Sequence, residues 1–285
     1  MDIRWGVSPA YHISRYTDNF SPEDVAASLK DLTSMGFSVF QLEVFHPKTL
    51  TDWTRRGINL VFQAAEKANI YPSQFVGHFL LHGFGSAEAT QSDFGIPEMK
   101  ECLELLKPFP DCEIITVPTP ALTLTSPMKA ADYSNLWNRF VEKMQTMVTI
   151  AEDGGKRIAL EIIPGSIVGG MKGFLQLTNE IKGNLGYNFD TGHAWAGREI
   201  IDLIPAMLGN KIFGTHLKDN NQAVNLALSP GKGTIPWDFV IPNLIESGYK
   251  GTWDIEIKCE PDEVRTEYEY GLQFLQLKIK NYQGV

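Results

Sequence analysis

Cysteine is scarce in this sequence. The three present, Cys102, Cys112 and Cys259, are scattered and show no CxxC spacing, so neither a disulfide framework nor a thiolate metal site is indicated. A basic excess is also missing. The formal net charge is −9, which argues against a protein that coats nucleic acid, since that affinity comes from Lys and Arg neutralising phosphates. No apolar run reaches the length that spans a bilayer, and the opening MDIRWGVSP lacks the basic and apolar regions of a secretory signal. The expected location is therefore the cytoplasm, with no membrane partner. Linkers rich in Gly, Ser or Pro, low-complexity tracts and long charge runs are absent too, so nothing marks a join, and residues 1–285 read as one domain.

What is present is ordinary in amount, 43% hydrophobic and 21% charged, but regular in arrangement. Residues 185–219 read LGYNFDTGHAWAGREIIDLIPAMLGNKIFGTHLKD. Two β-rich runs, 185–189 and 211–217, flank a helical pattern over 199–208. Each run ends on polar chemistry, Asp190 with His193 after the first and His216 with Lys218 and Asp219 after the second. Strand, helix and strand with reactive groups at the carboxyl ends describe one unit of a parallel α/β fold.

The rest of the chain repeats the unit. Further β-type runs are expected at 3–7, 39–45, 74–80, 113–117, 157–163 and 251–257. Helical patterns follow at 22–35, from Thr51 or Asp52 to 68, and at 96–106, 133–153, 171–181, 237–247 and 263–280. Ser21-Pro22-Glu23-Asp24 is a helix start, with Ser as cap, Pro in the first turn and acids beside the helix dipole. Eight strand–helix units close into a barrel more naturally than they form an open sheet, because closure removes both edges. The expected fold is a single (β/α)8 TIM barrel.

In such a barrel ligands sit at the carboxyl ends of the strands. Glu161, Asp190, His216 and Glu256 fall near those ends on strands five to eight, which are contiguous, so the four side chains can converge at the mouth. Each alone reads as a satisfied core histidine, a helix-capping Asp or a salt-bridged Glu. Together, three carboxylates would repel unless a cation lies between them. Oxygen donors with one imidazole suit one divalent ion, Mn²⁺, Mg²⁺ or Co²⁺, with Zn²⁺ also compatible. Glu43 and His78, near the ends of strands two and three, could bind substrate hydroxyls. Lys218 follows His216 by two and points the same way, towards a substrate oxygen or phosphate. Trp195 could wall the mouth, and Lys232 between two glycines hints at phosphate.

Five stretches resemble the xylose isomerase-like TIM-barrel superfamily: LEIIPGS at 160–166, FDTGHA at 189–194, THLKD at 215–219, PGKGTIPW at 230–237 and GYKGTWDIEIK at 248–258. By that resemblance Glu161, Asp190, His216 and Glu256 match the family's metal ligands. His193 matches a histidine that contacts substrate in epimerases and binds a further metal in the endonuclease IV group. Two departures narrow the choice. Asn225 and Ala227 stand where the endonuclease type has its Asp-x-His, which makes a multi-zinc DNA hydrolase an unlikely member to match. Gln222 and Ile167 replace an Arg and a Glu of the ketose epimerases.

The resemblance implies a metal-dependent sugar or keto-polyol isomerase or epimerase. A divalent ion would chelate a carbonyl and the adjacent hydroxyl, and Glu161 and Glu256 would carry the proton. Working on opposite faces they would invert the carbon; one serving both steps would give aldose–ketose isomerisation. The alternatives are an inosose-type dehydratase on the same site and a non-catalytic sugar-binding barrel. The expected ligand is a small sugar, a keto-polyol or their phosphate, with no nucleic-acid partner. Homo-oligomerisation stays open.

Overall fold

A computed structural model of the chain describes residues 3–50, 52–53 and 55–284. Eight parallel strands run in the order β7-β6-β5-β4-β3-β2-β1-β8. They are β1 (Trp5–Val7), β2 (Val39–Glu43), β3 (Tyr71–Val76), β4 (Ile114–Thr119), β5 (Arg157–Ile162), β6 (Leu185–Asp190), β7 (Ile212–His216) and β8 (Trp253–Ile255). The ends of this order meet. Leu217, just past β7, donates its N–H to Asp254 (2.8 Å) and accepts that of Glu256 (3.0 Å), joining β7 to β8. The Thr215 hydroxyl reinforces the seam by donating to the Thr252 carbonyl and accepting from the Asp254 N–H. The fold is the expected (β/α)8 TIM barrel.

The helices are α1 (Ala10–Tyr16), α2 (Pro22–Met35), α3 (Arg55–Ala68), α4 (Ala87–Gln91), α5 (Ile96–Leu105) and α6 (Ala130–Asp153). They continue with α7 (Met171–Glu180), α8 (Thr191–Ala196), α9 (Ile204–Leu208), α10 (Trp237–Glu246) and α11 (Val264–Gln283). The start of α2 is as expected: Ser21 Oγ accepts the Asp24 N–H and the Asp24 carboxylate accepts the Ser21 N–H, a reciprocal cap. On α6, Leu136, Phe140, Met144, Met147 and Ala151 recur at helical spacing and are buried against the barrel. Val7, Phe40, Leu42, Ile115, Val117 and Leu160 are fully buried on the strands, each worth roughly 1.5–3 kcal/mol of transfer free energy.

Four expectations shift. The expected helix start at Thr51 lies outside the described residues, and α3 is described from Arg55. Strand three ends at Val76 rather than at residue 80, because Gly77 leaves the extended region (φ −80°, ψ 63°) and opens a 3₁₀ turn, His78–Gly83. The helix expected over 199–208 is instead two short ones, α8 and α9. Gly197 and Arg198, the latter with φ 58°, end the first, and only 204–208 of the expected span is helical. β8 stops at Ile255, so Glu256 sits one residue beyond it. No helix among the described residues is long and apolar enough to cross a membrane.

Candidate active site

Three elements meet on one imidazole. Glu161 comes from β5, Asp190 ends β6, His216 ends β7, and one ligand atom of each lies within 4.8 Å of the others. Glu256, past β8, is not one of that group of three but reaches the same imidazole. His216 Nδ1 is 2.8 Å from Glu161 Oε2, 2.8 Å from Glu256 Oε2 and 3.8 Å from Asp190 Oδ2. Despite these contacts Nδ1 has no aligned hydrogen-bond partner, and neither has Asp190 Oδ2, although both are buried. Buried polar atoms left open in this way are uncommon, and here they open onto one another.

Asp190 serves two purposes. Oδ1 accepts the His193 N–H at 2.8 Å and so caps α8, which leaves Oδ2 facing the cluster. Capping and metal binding are therefore compatible readings of one residue. The cap also brings His193 in, its Nε2 3.4 Å from both Glu161 Oε1 and Asp190 Oδ2.

Lys218 is completely buried. Its ammonium lies 2.8 Å from Asp190 Oδ2 and pairs closely with Glu256 Oε1. Its stem fills the space above Gly192, where a Cβ would come within 2.6 Å of it, which explains the glycine in DTGHA. The side chain thus faces the cluster, as expected from its spacing, but its donors are directed at the carboxylates.

Burial alone would raise these acids, yet opposing charge wins. Glu161 is held well below the carboxylate range by His216 and His193. Asp190 falls to about 2 beside His193 and Lys218, and Glu256 to about 2 beside Lys218 and His216. His216 goes the other way: burial would lower it, but Glu161 and Glu256 drive it well above its ordinary value. With His216 neutral, as a metal ligand must be, three carboxylates against one ammonium leave two negative charges, which one divalent cation balances. The donor set, its charge and the open atoms fit such an ion, held by Glu161, Asp190 and His216 with Glu256 beside them.

Glu43 and His78 are also brought together. Glu43 Oε1 lies 4.0 Å from His78 Nδ1, and Glu43 Oε2 and His78 Nδ1 are buried without partners. Burial, with Glu256 adding to it, raises Glu43 well above the carboxylate range, while burial lowers His78 to about 4. Burial thus favours the neutral form of each. The Phe45 ring packs edge-on to His78 at 3.9 Å.

Other candidates turn away from the site. Lys232 pairs with Glu267 at 2.6 Å and lies over Tyr270, so no phosphate cradle forms from it. Trp195 is half-buried and donates to Thr234 Oγ1 at 2.9 Å. Asp219 is structural: its carboxylate accepts from the N–H groups of Asn220, Gly231 and Ile235 and from Trp237 Nε1. Asp219 thereby ties THLKD to PGKGTIPW. Asn225 Oδ1 accepts from Asn220 Nδ2 at 3.4 Å, and the Ala227 side chain has no ligating atom. Two clefts, about 790 Å³ beside Trp53 and Phe62 and about 840 Å³ at the amino-terminal end of the barrel, lie away from this chemistry.

Two contributors escaped the sequence reading. Gln41 Oε1 is 2.8 Å from His216 Nε2, and Asn188 Nδ2 donates to Glu161 Oε2 at 3.1 Å. A signal did exist. Strand side chains alternate, so Gln41, Asn188 and Asp254, each two residues before a site carboxylate, form a polar layer directly beneath.

Several solved structures share this fold. The IOLI protein with a bound zinc atom is 18% identical, with 98% of this chain and 97% of that one covered and a TM-score of 0.75. D-psicose 3-epimerase from Clostridium cellulolyticum H10, with D-tagatose, is 16% identical over 96% and 99% of the two chains, with a TM-score of 0.74. Further matches are also sugar epimerases or epimerase-like proteins. At such identities the likeness establishes the fold alone. An uncharacterized protein of Methanocaldococcus jannaschii is 31% identical over 146 residues, 46% of this chain, so the match spans half the length of that relative. Over residues 29–278 the chain matches the family model described as xylose isomerase-like TIM barrel, and it belongs to that family.

Proposed function

We propose that the protein is a divalent-metal-dependent isomerase or epimerase of a sugar or keto-polyol. The observation that carries this reading is the convergence of Glu161, Asp190 and His216 within 4.8 Å, with His216 Nδ1 and Asp190 Oδ2 lacking aligned hydrogen-bond partners and Lys218 beside the latter. Similar folds belong to sugar epimerases, and one holds zinc. When bound, the cation supplies Lewis-acid polarisation of a substrate carbonyl and its neighbouring hydroxyl.

The chain's own groups then divide the work. Glu161 and Glu256 stand on β5 and just past β8, on different sides of the mouth, so a substrate between them presents one face to each. One carboxylate takes the proton from the C–H beside the carbonyl. The C–H electron pair becomes the new C=C bond, and the carbonyl pair moves onto oxygen. The other, carrying a proton, returns it to the opposite face as the C=O reforms, which inverts the carbon. Lys218 offsets the charge of Asp190 and Glu256 throughout. Glu43 and His78, neighbours with Glu43 Oε2 and His78 Nδ1 buried without partners, suit a substrate hydroxyl that donates to one and accepts from the other.

The test is deuterium exchange by NMR in D₂O with Mn²⁺, across ketoses, aldoses, inososes and their phosphates. Glu161→Gln and Glu256→Gln, each with its metal content measured, should abolish net epimerisation. Each should still exchange the C–H of one epimer, and the two should choose opposite epimers. Loss of water from an inosose would move the assignment to a dehydratase. Near wild-type turnover by both metal-loaded variants on an authentic substrate would remove both glutamates from the mechanism.

A further inference from the structure

The His216 ring has two nitrogens, and only one faces the carboxylates. The other, Nε2, lies 2.8 Å from Gln41 Oε1 on β2, with His216 and Gln41 both buried. A carbonyl oxygen only accepts, so Nε2 carries the hydrogen. An amide can turn over, exchanging its oxygen and nitrogen, so the assignment needs a second constraint.

Asp254, on β8 in the same polar layer, provides it. This fully buried acid accepts from Ser73 Oγ at 3.0 Å and from the Thr252 hydroxyl. Burial raises its pKa, while Thr252, His216, Ser73 and Gln41 pull it down. Gln41 Nε2 has no partner at strict hydrogen-bonding geometry, and Gln41 is among the groups that act on Asp254. Turning the amide over would aim its carbonyl at a carboxylate and its NH₂ at the imidazole. Room for the acid comes from Gly6, where a Cβ would fall 2.0 Å from Asp254 Oδ1.

We infer that Gln41, oriented by Asp254, is a positioning residue that fixes His216 with hydrogen on Nε2 and so presents Nδ1 to the Glu161–Asp190–Glu256 cluster. The inference rests on the reading of His216 as a metal ligand. Groups of this kind set ring orientation and donor strength in metal sites. The polarity runs in one direction: acid to amide NH₂, amide oxygen to ring N–H, and ring lone pair to the metal position. A side chain of the same length without an acceptor breaks it. Exchanging the two functional groups, as in Gln41→Glu with Asp254→Asn, reverses the outer bond but keeps an oriented acceptor on the ring N–H.

The experiment uses the full chain. Mn²⁺ affinity is measured by calorimetry for wild type, Gln41→Met and the double variant Gln41→Glu/Asp254→Asn, with melting in chelator as the check on folding. ¹⁵N-histidine spectra of the Zn²⁺-loaded and metal-free proteins report the protonated ring nitrogen, with His216 assigned by loss of its signal in His216→Asn. Gln41→Met should weaken Mn²⁺ by about 10- to 100-fold and expose the Nε2 proton to solvent exchange, and the double variant should recover most of the affinity. A folded Gln41→Met with wild-type affinity and an unchanged Nε2–H would overturn the inference. So would a Zn²⁺-loaded wild-type spectrum with the His216 hydrogen on Nδ1, whether or not any variant folds. If wild type binds no Mn²⁺, the metal reading fails separately, and protection of Nε2–H in wild type but not in Gln41→Met still decides the role of Gln41.

Discussion

At the scale of single residues, the molecule shifts its buried titratable groups in opposite directions for opposite reasons. The carboxylates facing His216 raise it well above its ordinary value, whereas His12 on α1 is held neutral by burial, at about pKa 3, with Arg15 adding to the effect and Asp24 opposing it. His12 Nε2 meets Ser28 Oγ at 2.9 Å, Nδ1 has no partner, and the Phe20 ring lies 5.6 Å away. A histidine whose folded pKa is depressed contributes stability that is complete above its unfolded pKa of about 6.5 and is lost as pH falls from there towards the folded value. Between pH 7 and pH 5 this single group should cost the wild type about 2 kcal/mol. His12→Gln should remove about that much of the acid loss in urea unfolding at the two pH values. An unchanged slope would mean that His12 titrates normally in the folded protein.

At the scale of elements, the segment carrying His78 is held in place from behind. Lys143 on α6 is buried, and its ammonium donates to the carbonyls of Gly83 and Ala89, each at 2.9 Å. One turn earlier, Arg139 pairs with Asp93 at 2.9 Å. Together they tie the 3₁₀ turn, α4 and the approach to α5 onto one helix. Burial brings the Lys143 ammonium down to about 8, with Arg139 contributing. Lys143→Met keeps the length but leaves two buried carbonyls unpaired. It should lower stability by about 2–4 kcal/mol and raise amide exchange across residues 78–94 well before global unfolding. Uniform exchange along the chain would show that Lys143 supports the whole fold and not this segment.

At the scale of the whole molecule, strands from both halves of the chain supply the cluster and its supporting layer, so an ion held there links them. An ion that binds only the folded state stabilises it by mass action, about 2.7 kcal/mol when free metal is a hundredfold above its dissociation constant. Chelation should therefore lower the melting temperature by roughly 5 °C. His216→Ala and Asp190→Ala should melt alike with and without added Mn²⁺ and retain little metal. A wild type whose melting ignores both chelator and metal would remove the ion from the site.

Much of this was legible in the residues. Alternation and turn chemistry set the eight strands and their helices, because period and capping are local properties of the chain. Reactive residues at the ends of the β-rich runs marked Glu161, Asp190, His216 and Glu256, since a strand end projects its side chain wherever the strand later sits. Distance between strands was not legible. That Gln41 would reach His216, 175 positions away, depends on β2 and β7 facing each other across a closed barrel. That Lys218 would spend its donors on Asp190 and Glu256, and Lys232 on Glu267, depends on which acids lie within reach after folding. The sequence by itself determined which groups stand at the mouth. Only the tertiary structure decided which of them meet, because hydrogen bonds and charge pairing act over a few ångströms and the sequence records no such distance between separate strands.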